Sequence, residues 1–179
     1  MIAVSFRLAL LRTFLAATAV AGFSVSASAD EAQVARGKYL VIAGGCTDCH
    51  TPGYFLGAPD MDRYLGGSDV AFEMPGLGAF LGRNLTPDKE TGLGNWSEDD
   101  IVKALTTGER PDGRVLAPIM PYHALAQLTE DDRHAIAAFL MSIKPVSHAV
   151  PGPFGVGEKV PTFMFRVLPP GATAADVPK

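Results

Sequence analysis

Two thiols and an imidazole stand together in Cys46-Thr47-Asp48-Cys49-His50, the stretch of this chain whose residue types and spacing could do chemistry. Cysteines two residues apart can lie across one turn of backbone and form thioether bonds to the two vinyl groups of one porphyrin. The next residue then brings an imidazole under the iron. C-x-x-C-H is accordingly the attachment signature of a c-type haem. In that reading His50 ligates the iron through one ring nitrogen and gives its other N–H to a carbonyl, which fixes the tautomer and the ring orientation.

Other uses of a Cys-x-x-Cys pair fit less well. A structural zinc site needs further Cys or His ligands at matching spacing, and the chain has no third cysteine. A thioredoxin-type dithiol wants a strand before it, whereas the preceding segment has a helical pattern. A short disulfide is compatible with an exported protein and predicts a colourless product. One motif and no internal repeat predict one covalently bound haem c.

A one-electron carrier gains from a second strong axial ligand, and thioether sulfur favours the reduced iron. Met61, Met74, Met120, Met141, Met164, His123, His134 and His148 are the available candidates. Met141 and His134 fall on a helix, where packing and solvation are their ordinary roles. Met120 stands between Pro118 and Pro121, a rigid strap that could hold a side chain toward iron. On the residues alone Met120 leads, with Met74 and His123 as rivals.

The elements that must position these groups are mostly helical. Glu31–Ala43 reads as a helix with Val34, Gly37, Lys38 and Val41 on one face, and Gly44-Gly45 ends it just before the motif. Ser97 caps a helix that opens with Glu98-Asp99-Asp100 and buries Ile101, Ala104 and Leu105. Thr129 caps the last, which buries Ile136, Phe139, Leu140 and Ile143 and stops at Pro145. Between Thr51 and Asn95 the apolar residues follow neither the helix nor the strand period. The haem is expected to serve as core there, with Leu77, Phe80, Leu81 and Leu85 packed on it. Asp88, Glu90 and Asn95 lack the spacing of a calcium loop and read as solvated turn residues.

Residues 1–29 have the form of a secretory signal. Arg7 and Arg12 precede an apolar run from Thr13 to Val25, and Ala27-Ser28-Ala29 is an A-x-A site, so cleavage is expected after Ala29. Export places the protein in the periplasm, and no stable membrane insertion is expected once the leader is gone. Its removal takes two of 15 basic and none of 19 acidic residues, leaving a formal charge of −6. That balance argues against nucleic acid as a partner. The mature chain divides into a domain at 30–146 and a Pro/Gly-rich extended tail at 147–179, which lies over the domain or docks a partner.

The order of motifs resembles a known family. Cys46-Thr47-Asp48-Cys49-His50, Asn84-Leu85-Thr86-Pro87-Asp88, Thr91-Gly92-Leu93-Gly94-Asn95-Trp96-Ser97 and Met120-Pro121-Tyr122 follow one another as in class I cytochromes c. Over Glu31 to Val146 the chain is similar to the cytochrome c domains that serve bacterial periplasmic alcohol and gluconate dehydrogenases. The resemblance implies an all-α class I cytochrome c fold, with terminal helices that cross so that Gly37 meets the face carrying Phe139 and Leu140. It also implies Met120 as the distal ligand. Many class I cytochromes have Gly-Pro-Asn-Leu where this chain has Gly82-Arg83-Asn84-Leu85, and there the proline carbonyl accepts from the proximal histidine. The register transfers that role to the Arg83 carbonyl. The Arg83 guanidinium and the Trp96 indole N–H are further expected to meet the haem propionates.

The resulting expectation is a non-enzymatic periplasmic mono-haem carrier. It takes one electron at a time from a dehydrogenase and passes it to a downstream cytochrome or terminal oxidase. The alternative is a haem protein with an open sixth position, either a peroxidase-like enzyme or a gas sensor.

Overall fold

The computed structural model describes residues 24–173. Most of the leader expected over 1–29, and the end of the tail after Thr173, lie outside them. Residues from Gln33 onward form one compact unit, and the packing described below is theirs.

Helix α1 spans Ser24–Ala43, a proline-free segment rich in alanine. Gly44 donates to Leu40 O at 2.8 Å, and Gly45 takes the left-handed conformation with φ 69°, which turns the chain into α2, Cys46–His50. Helix α3, Glu98–Thr107, begins with a reciprocal capping box: Asp100 N–H donates to Ser97 Oγ at 3.1 Å, and Ser97 N–H donates to Asp100 Oδ2 at 2.9 Å. A short α4 covers Tyr122–Leu125. Helix α5, Glu130–Ser142, is capped by Thr129, whose Oγ1 accepts from Asp132 N–H at 3.1 Å.

Helices α1, α3 and α5 share the main core. Val41, Ile101, Leu105, Ile136, Ala137, Phe139 and Leu140 are buried together with Leu65 and Leu93 from the loops. The crossing of α1 and α5 is close because Gly37 has no side chain. A Cβ there would lie 1.8 Å from Ala135 O and 2.8 Å from Phe139 Cβ. Lys38, expected on the packed face, is exposed.

The expectation of an all-α fold is not met. A three-stranded sheet is present, made of β1 (Val70–Met74), β2 (Gly78–Leu81) and β3 (Phe163–Arg166) in the order β2-β1-β3. The first two form an antiparallel hairpin with Ala71 opposite Leu81 and Phe72 opposite Phe80. Pro75-Gly76 makes its turn, Gly76 at φ 77°. The third strand comes from the tail and runs parallel to β1, with Val70 opposite Phe163. The reason for the miss is physical: β1 and β2 are four or five residues long, and β1 finds its parallel partner 93 residues away, beyond any local period.

The sheet has its own small core of Ala71, Ala79 and Leu81, covered by Val150, Phe154, Val160 and Met164 of the tail. Leu81 therefore packs within the sheet. Leu77 is exposed at the hairpin, and Leu85 packs on the main core. The tail thus packs over the domain through Val150, Phe154, Val160 and β3.

Candidate haem-binding site

The site begins with the turn at Gly44-Gly45, which sets the axis of the single-turn helix carrying Cys46, Cys49 and His50. Both cysteines are free thiols and half-buried. Burial pushes the Cys46 thiol up from its ordinary 9.0 to about 11, with the charges of Cys49 and Asp48 acting in the same direction. Cys49 is pushed up too, by burial first and by Asp48 second. Cys46 packs against the main core, and a buried thiol held protonated is a weak nucleophile.

His50 is 8 % exposed, and its Nδ1 lies 2.7 Å from the carbonyl oxygen of Arg83. That acceptor is the one suggested by the register of Asn84-Leu85. The bond fixes the proton on Nδ1 and leaves Nε2 as the lone-pair nitrogen, which has no hydrogen-bond partner among the described residues. Burial lowers the imidazole pKa, and the Arg83 carbonyl offsets part of that shift. The ring is thereby kept neutral, the form that ligates a metal.

The backbone around the motif is locked. Gly67 N–H donates to His50 O at 2.8 Å, and Ser68 N–H donates to Gly82 O at 2.9 Å. Gly82 lies against the motif so tightly that a Cβ would sit 1.7 Å from Cys49 O and 3.2 Å from His50 Nδ1. Leu65, fully buried, holds a left-handed φ of 56° between two hydrogen bonds, its N–H to Thr51 Oγ1 and its C=O to Leu85 N–H.

Met120 is half-buried and packs against the main core, as do Cys46 and Trp96. Its loop is tied by Met120 N–H to Ala117 O at 2.9 Å and Tyr122 N–H to Met120 O at 2.8 Å. Met74 ends β1 opposite Gly78, and His123 is exposed, with its ring 4.2 Å from that of Tyr122. Trp96 has the Arg110 guanidinium over its ring at 5.9 Å, and its indole N–H has no acceptor among the described residues. The Arg83 guanidinium donates from Nη1 to Val150 O and from Nη2 to Gly152 O, and its Nε–H has no acceptor among the described residues.

Two free thiols one helical turn apart, a buried imidazole with one nitrogen unpartnered among the described residues, and Gly82 packed against Cys49 O fit a covalently attached haem. Sequence reasoning missed the buried polar residues behind this arrangement. Asn84, 1 % exposed, accepts from Thr86 N–H at 2.9 Å and donates to Val146 O at 2.7 Å. The signal was an Asn two residues before a Thr in a turn-rich stretch, the pattern of an Asx-turn.

The cytochrome c family model matches residues 34–144. Three relatives show the same likeness. The cytochrome c subunit of the quinone alcohol dehydrogenase of Gluconobacter oxydans (strain 621H) is 39% identical over 127 residues, 70% of this chain and 25% of that protein. The fructose dehydrogenase cytochrome subunit of Gluconobacter japonicus is 38% identical over 126 residues, 70% and 24% respectively. The gluconate 2-dehydrogenase cytochrome c subunit of Pantoea cypripedii is 36% identical over 122 residues, 68% and 26%. The chain thus spans about a quarter of the length of these curated relatives.

Proposed function

The chain belongs to the cytochrome c family, a family of electron-transfer haem proteins, and from that we propose that it is a periplasmic mono-haem carrier serving a dehydrogenase. The supporting observation is the state of His50: Nδ1 is bonded to the Arg83 carbonyl, and Nε2 is left unpartnered beside two free thiols. Bound haem c supplies a one-electron couple at iron. Cys46 and Cys49 hold it by thioether bonds, so the cofactor is retained at any dilution. His50 Nε2 and the Met120 thioether would ligate its iron, a pair that would favour a relatively high potential. The free donors on Trp96 Nε1 and Arg83 Nε are available to the propionates. No substrate bond is made or broken on this chain.

The relatives named above are subunits of alcohol, fructose and gluconate dehydrogenases, and a dehydrogenase is proposed as the electron donor here. A cytochrome or terminal oxidase is the proposed acceptor. The leader form of residues 1–29 supports export to the periplasm with cleavage after Ala29. Among the described residues no helix is long and apolar enough to cross a membrane. The cytochrome unit spans 30–146, followed by the Pro/Gly-rich tail from 147 onward.

The test is an optical spectrum of the periplasmically expressed protein, oxidised and reduced, with and without carbon monoxide. A c-type reduced spectrum, a near-infrared sulfur-to-iron band that vanishes in Met120→Ala, and indifference of the parent to carbon monoxide are expected. Haem that binds carbon monoxide readily and lacks the band would move the protein to the open-site class of peroxidase-like enzymes and gas sensors.

A further inference from the structure

Arg83 works in two directions at once. Its carbonyl oxygen takes the His50 Nδ1–H at 2.7 Å, while its guanidinium donates to the carbonyls of Val150 and Gly152 in the tail. We propose that residues 147–166 are a strap that positions the proximal histidine by locking Arg83, an inference that rests on the haem reading above.

The strap is anchored on both sides of that lock. At its root, Asn84 Nδ2 donates to Val146 O at 2.7 Å, and Val146 N–H donates to Thr86 Oγ1 at 3.0 Å. Asn84 and Thr86 are 1 % and 0 % exposed, so these bonds are shielded from competing water. His148 N–H donates to Thr91 Oγ1 at 3.0 Å. Beyond the lock, Ala79 and Phe154 exchange backbone hydrogen bonds at 2.9 and 3.0 Å, and β3 then pairs with β1.

Residues 82–84 are consequently held from two sides. Gly82 lies against Cys49 O with no room for a side chain, the strap grips Arg83, and Val146 at its root holds Asn84. A carbonyl in an irregular loop can tilt about its flanking bonds and lose its donor. The planar two-pronged grip of a guanidinium removes that freedom, which a single flexible ammonium does not. The acceptor of His50 is therefore fixed by a segment remote in sequence, and the imidazole inherits its orientation.

The experiment measures exchange with water of the His50 Nδ1–H by proton NMR in the reduced, haem-loaded protein. The parent is compared with Arg83→Met, with Arg83→Lys, with a chain ending at Ala149, and with that truncation combined with Arg83→Met. Exchange is expected to be faster by about tenfold or more in Arg83→Met and in the truncated chain, the scale at which outer-shell partners of metal ligands act. Arg83→Lys keeps the charge and is expected to stay fast. The double variant is expected to exchange no faster than either single one, because both remove the same lock. Parental exchange in Arg83→Met overturns the strap, as does a double variant whose acceleration is the product of the two. Arg83→Met decides alone if the truncated chain does not fold. A colourless parent would defeat the haem reading itself, whereas haem-loaded variants with unchanged exchange defeat only the strap.

Discussion

The helical core and the sheet are both built on buried apolar residues, but they are held by different means. Nine buried side chains from α1, α3, α5 and two loops interlock in the first, and the half-buried Cys46, Trp96 and Met120 lie against them. The second buries three, two of them alanines, and the tail covers them. Its order comes from backbone pairing, from the T-shaped and stacked contacts among Phe55, Phe72 and Phe165, and from polar ties to the strap. The helical core acts through shape, and the sheet region acts through hydrogen bonds that reach the loop next to His50. The two halves of the site thus differ in what would damage them.

The largest effect is expected at the helix crossing. Gly37→Leu forces a side chain onto Ala135 O, and no folded haem-loaded protein is expected from periplasmic expression, as read by haem stain and circular dichroism. A product with the parental denaturation midpoint would remove the crossing from its central place. Next come two equally buried side chains. Phe139→Ala should cost about 4 kcal/mol and Leu81→Ala about 2 kcal/mol in guanidinium unfolding, since the sheet core offers fewer neighbours to lose. Equal costs would show the sheet to be as tightly packed as the bundle.

A smaller effect follows from the thiol and imidazole before attachment. In the haem-free chain the fold holds the Cys46 proton up to about 11, whereas the unfolded chain releases it near 9.0. That contribution is fully present below pH 9.0 and is lost as the pH rises toward 11. His50 is held neutral, so its contribution is present above 6.5 and declines as the unfolded chain takes up a proton below that value. Urea midpoints of the haem-free protein should therefore peak between these limits, and Cys46→Ala should flatten the alkaline side. An alkaline limb unchanged by that substitution would count against the burial argument. The smallest effect belongs to the ion pair at the same crossing. Arg36 Nε lies 2.8 Å from Asp132 Oδ1, but the arginine side chain is half exposed. Arg36→Gln should leave the midpoint within measurement error, and a clear drop would mean that charge, rather than the bare Gly37, holds α1 on α5.

Much of the helical half was legible from residue order. Ser97 and Thr129 announced their helices by cap chemistry, Gly44-Gly45 announced the end of α1, and the proline-to-arginine replacement at position 83 pointed to the carbonyl that His50 meets. The sheet was not legible, although Pro75-Gly76 between Val70–Met74 and Gly78–Leu81 carries the mark of a hairpin. Alanine at 71 and 79 gives little hydrophobic contrast, so the period of two was faint. Strand β3 alternates exposed Phe163 and Phe165 with half-buried Met164 and Arg166, a pattern without meaning until β1 is beside it. Lys38 was misplaced for the complementary reason, since the helical period alone cannot say where a narrow glycine contact ends.

Covalent spacing settles what a local motif can do, and Cys46, Cys49 and His50 are kept within about one helical turn of each other by their separation of three and four positions. The types of the capping residues settle where helices start, because those bonds close within three or four positions. Neither consideration reaches the partners of the site. A carbonyl acceptor has no side-chain signature: the family register singled out Arg83 O, but its approach to 2.7 Å from His50 Nδ1 depends on where the loop comes to rest. The tail's return over that loop, and the burial of Asn84 and Thr86 beneath it, arise from contacts spanning some 60 residues. Such contacts are decided by the competition among all long-range pairings, which is a property of the folded chain as a whole.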